Sequence, residues 1–129
     1  MKPERIYAGY LALQAMLGIV FWIAVAGSST VREVLELLPA EPAVTDAFVF
    51  GDVLVVIGSA VAAWGIDRRA SWGVPVAAFT AGGVVYPTLY LIGWVSFTGS
   101  GSGSACLAIM VPVSLLTLWV TYQAWRLMK

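Results

Sequence analysis

The chain has 129 residues, a one-domain length, of which 60% are hydrophobic and 11% charged, with a mean hydropathy of +0.90. Soluble domains carry roughly 25% charged residues, so the polar surface is too small to coat a particle in water and the composition calls for lipid. Net charge is zero, no basic cluster exceeds Arg68-Arg69, histidine is absent and Cys106 is the single cysteine; nucleic-acid binding, His- or Cys-based metal ligation and an intrachain disulfide are thereby excluded.

The first long apolar run covers 6–27 and is broken only by Gln14. About 20 residues at 1.5 Å each cross the roughly 30 Å of bilayer hydrocarbon, so this run predicts a transmembrane helix. Lys2 and Arg5, followed by an apolar stretch and Ala24-Val25-Ala26, imitate a signal peptide. A signal core spans about 7–15 residues and this run is longer, so it is read as a true span.

In the following loop, Thr30-Val31-Arg32-Glu33 fits a capping box, in which Thr accepts from a free helix amide and Glu reaches back. Val31, Val34, Leu35 and Leu38 recur on one helical face. The pattern predicts a short amphipathic helix over 31–38, stopped by Pro39 and resting in the outer interface or over the bundle mouth.

The second span, 47–66, contains Asp52, the one charge inside any of the apolar runs. A mid-membrane Asp costs about 2.5–3.5 kcal/mol, which marks it as a candidate ligand or ion site unless it sits shallow enough to be hydrated. The third span, 72–98, holds Pro87 and the fourth, 105–125, holds Pro112. Each proline strips the carbonyl four residues earlier, at Gly83 and Ala108, of its helical donor. Counted from the helix ends, Asp52, Pro87 and Pro112 fall within about one turn of one level. Tyr86 and Tyr90 are the expected hydrogen-bond donors to Asp52, and Arg32 the expected cation over it. The Gly/Ser run 98–104 reads as a flexible connector.

Small residues mark close helix contacts in lipid: Gly73, Ala77 and Ala81 on span three, and Gly58 and Ala62 on span two. They serve packing within one chain or a seam between copies. A faint internal likeness relates Trp22 to Gly27 with Trp94 to Gly99 at an offset of 72 positions. Two parallel hairpins would produce it, as would the gathering of Trp at interfaces.

The whole reads as an all-α, single-domain, four-helix transmembrane bundle. Lys2, Arg5, Arg68, Arg69, Arg126 and Lys129 fall on one side and only Arg32 on the other. The positive-inside rule therefore places both termini in the cytoplasm, and the Ala/Val/Gly-rich composition suits a bacterial plasma membrane. No cofactor or metal motif and no catalytic constellation is present. The expected partners are membrane lipid and either a second copy or a larger membrane complex. A structural or accessory subunit is the leading reading. A homodimeric transporter of a small solute, ion or proton around Asp52 follows, and a lipid-directed enzyme comes last.

Overall fold

The computed structural model describes residues 2–129. Its elements are α1 (Pro3–Gly27), α2 (Ser29–Leu35), α3 (Ala43–Asp67), α4 (Gly73–Thr98) and α5 (Gly101–Met128), with no strand among the described residues. Four of these helices are long and apolar enough to cross a membrane. They run up and down in the neighbour order α1, α3, α4, α5, and a narrower α1–α5 contact closes the bundle. Phe97 is 93% exposed, Phe50 77% and Phe79 74%, an outer surface that suits hydrocarbon and not water.

Helices α1, α3 and α5 run longer than the apolar runs that announce them, because backbone bonding continues past the last apolar residue, whereas α4 matches its run to within one residue. Pro3 opens α1, where its missing N–H costs nothing. At the other end of α4, Gly99 takes a left-handed conformation, φ 65°, which a Cβ would resist. The expected flexible connector is corrected here. Only Gly99 and Ser100 stay outside helices, and Ser100 caps α5 by accepting at 3.1 Å from the Gly103 amide.

The loop helix is also displaced from its expected bounds. Ser28, not Thr30, is the cap, accepting at 3.3 Å from the Val31 amide. The helix ends at Leu35, four residues before Pro39, because Glu36 turns extended and Leu35, Glu36 and Leu37 are buried. Tertiary bonds draw the chain inward there. Glu36 accepts from the Thr45 hydroxyl and, at 3.1 Å, from Arg32 Nε, while the Leu37 amide donates to Thr45 Oγ1 at 3.1 Å. The helix sits against α1 and α5.

Backbones approach closely between α3 and α4. A Cβ on Gly73 would lie 2.7 Å from the Gly65 carbonyl carbon, and one on Gly58 would overlap the Thr80 hydroxyl. Gly73, Ala62, Ala77 and Ala81 are all buried within the chain. These four residues serve contact within the chain, while Gly58 is half-buried. At the end carrying both termini, Glu4 is 5% exposed and is held by Arg69 Nη2 at 2.7 Å and Nε at 2.9 Å.

Candidate functional site

Asp52 lies three residues from the midpoint of α3, about 4.5 Å along the axis at 1.5 Å per residue. Pro87 and Pro112 are displaced towards the same end from the midpoints of α4 and α5, by about 2 and 4 Å, so the three lie within about one helical turn. The common level expected from the sequence is present, but the expected contacts are not. The Asp52 side chain turns to α1, where Trp22 Nε1 donates to Oδ2 at 2.8 Å. A carboxylate accepting from an indole N–H is a charge-assisted bond that offsets part of its desolvation. Among the described residues the hydrogen bond to Asp52 comes from Trp22 and not from Tyr86 or Tyr90, which are 75% and 53% exposed.

Arg32 does not reach Asp52 as a lid. Its Nη2 donates to Asp46 Oδ1 at 2.8 Å and its Nε to Glu36 Oε2 at 3.1 Å. Donating to the Asp46 carboxylate raises the pKa of this guanidinium above its ordinary value, aided by Glu36. Two carboxylates thus occupy Arg32, and Asp52 has no cation partner among the described residues.

What Asp52 and Tyr86 do share is a groove. It runs between α3 and α4 from Ala47 to Val55 on one side and from Phe79 to Pro87 on the other, about 12 Å by helical rise, with a volume of about 440 Å³. Asp52 is the one charged residue in its wall, and Phe48, Phe79 and Tyr86 supply aromatic surface. A second, smaller recess of about 260 Å³ adjoins Tyr86, Tyr90 and Trp94. Trp94 matches Trp22 in the 72-residue offset, yet its indole nitrogen is buried with no partner among the described residues. Cys106 donates weakly to the Leu35 carbonyl at 3.7 Å, which ties α5 to the end of α2.

Sequence reasoning missed the main polar feature of the interior. Tyr10 bonds Thr117 at 3.1 Å, Thr117 Oγ1 donates to Gln14 Oε1 at 2.6 Å, and Gln14 Nε2 donates to Ser59 Oγ at 3.1 Å. This chain ties α1 to α5 and α3, and Ser59 and Thr117 are fully buried. A second tie, Thr88 to Ser114 at 2.8 Å, joins α4 to α5. Pairs of this kind hold membrane helices together at about 0.6 kcal/mol each on average.

The arrangement is that of a small, up-and-down helical membrane bundle with one carboxylate set in a lateral apolar groove. The described residues contain no group of His, Cys, Asp and Glu able to hold a metal. Compared with protein-family models, curated proteins and solved structures, the chain matches none.

Proposed function

We propose that this chain is a non-catalytic membrane protein, with both termini in the cytoplasm of a bacterial cell, that serves as a structural or accessory subunit through helix contacts. The observation that carries this reading is where the interior polar groups are spent. Tyr10, Gln14, Ser59, Thr117, Thr88 and Ser114 bond one another across helices, and the buried Glu4 is met by the exposed Arg69. Such groups hold a bundle together and leave no paired acid and base for chemistry. The outward faces are apolar, suited to lipid and to neighbouring helices.

The test is native mass spectrometry of the protein extracted with its lipid from the cells that make it. A second polypeptide in fixed stoichiometry is expected, and a monomer alone overturns the subunit reading. A homodimer alone would favour the other reading, a transporter working as a pair around Asp52. One observation supports that alternative: the carboxylate lies near mid-helix in a groove open at the side. The lipid-directed enzyme gains no comparable support.

For orientation, six basic residues against one support cytoplasmic termini. Reporter fusions after Lys129 and at Gly99-Ser100 should read opposite sides, with the first cytoplasmic.

A further inference from the structure

We infer that the groove between α3 and α4 is a binding site for a lipophilic monocation, a quaternary or protonated ammonium carried on a short apolar body. This goes beyond the subunit reading and does not depend on it.

Three features of the groove converge on that chemistry. The first is charge without a counter-charge. Asp52 accepts one hydrogen bond, through Oδ2, and its other oxygen takes none within the described residues. The only basic group at that end, Arg32, is held by Asp46 and Glu36. A carboxylate removed from water is stabilised most by a cation, and the described residues supply none.

The second is the wall. Phe48, Phe79 and Tyr86 present aromatic surface to the groove, and a poorly hydrated cation is attracted to ring faces as well as to the carboxylate. A hard metal ion would demand several oxygen ligands, and the described residues offer no such group.

The third is size and access. About 440 Å³ falls within the roughly 300–1,000 Å³ of small-molecule sites. Gly51 lines the groove with open space where a Cβ would stand, so backbone and not side chain forms part of the floor. The site opens between two helices whose outer residues are apolar, so a ligand already dissolved in the bilayer reaches it sideways.

The Trp22 indole N–H, bonded to the Asp52 carboxylate, is a reporter built into the site. The experiment titrates octyltrimethylammonium into the ¹⁵N-labelled full chain in zwitterionic bicelles and follows the six indole N–H resonances, with Trp22→Phe assigning the relevant one. The neutral carbon isostere, 2,2-dimethyldecane, is titrated in parallel.

A saturable shift of the Trp22 signal is expected with the ammonium compound, and about tenfold or more weaker binding with the isostere. Asp52→Asn keeps an acceptor for Trp22 and removes the charge, so binding should weaken by about tenfold or more. Gly51→Leu fills the groove and leaves Asp52 intact, and it should weaken binding of both compounds. The spectra themselves report whether each variant is folded.

Equal binding of isostere and cation, or binding to Asp52→Asn within about threefold of the native protein, would overturn the proposal and leave an acyl-chain groove. Absence of any saturable Trp22 shift in the native protein would overturn it altogether.

Discussion

Replacing Gly65 with Ala should open the α3–α4 contact, and the structure sets the scale of the damage. The added Cβ would lie 2.7 Å from Gly73 Cα and 2.5 Å from Trp72 Cζ3. Non-bonded carbons rest at about 3.5–4.0 Å, so the shortfall against Gly73 is roughly 1 Å. The indole of Trp72 can rotate away, but Gly73 is backbone, pinned by its amide bond to the Ala70 carbonyl at 3.0 Å. The two helices must therefore part where they join. Overpacking of this kind costs about 1–3 kcal/mol, and with backbone on the receiving side the upper part of that range is expected. Gly73→Ala meets Gly65 and Ile66 backbone atoms at 2.7–2.8 Å and should cost a similar amount. Gly82 and Gly93 have nothing within 4 Å of an added Cβ, so their Ala variants serve as controls, expected within about 0.5 kcal/mol of the native chain. The assay is reversible unfolding in dodecyl maltoside micelles with increasing dodecyl sulfate, followed by circular dichroism. A Gly65→Ala protein as stable as the Gly82→Ala control would refute the reasoning.

Gln14→Leu removes the centre of the Tyr10–Thr117–Gln14–Ser59 chain at similar volume; two interhelical bonds disappear, so a loss of about 1 kcal/mol is expected in the same assay. Arg69 has φ 53°, so Arg69→Gly should be more stable than Arg69→Ala by about 1 kcal/mol, since both lose the bond to Glu4 but only Ala keeps the left-handed strain. The reverse order would mean that the turn relaxes around residue 69. Ser100→Ala removes the α5 cap and should cost about 1 kcal/mol, read as faster amide exchange over the first turn of α5.

The four long helices were legible because a run of some twenty apolar residues has few other physical outcomes in lipid. Their ends were less so. Ser28 and Thr30 both carry the chemistry of a cap, and only burial of Leu35 to Leu37 decides between the two registers. The run 98–104 has linker composition, yet Ser100 and the buried Gly103, which would meet Val95 at 2.7 Å if it carried a Cβ, turn it into a helix start. Asp52 was legible as the residue needing a partner, but its donor was not, because Trp22 reads equally well as an interface anchor. A count of heights could have found the interior network. Gln14 and Thr117 each lie eleven residues from the terminus-side ends of α1 and α5, and Ser59 eight from that of α3, so all three fall within about 5 Å of one level.

The pairing pattern also imposes an order on how the protein is made. Gln14 finds its partners 45 and 103 positions further along, and Glu4 finds Arg69 after 65. A nascent α1 entering the bilayer therefore carries two polar side chains whose ligands have not yet been synthesised. Until the α3–α4 hairpin and then α5 arrive, the insertion machinery or water at the membrane surface must shelter Glu4 and Gln14. The first helix to be translated is thus the last to be fully satisfied.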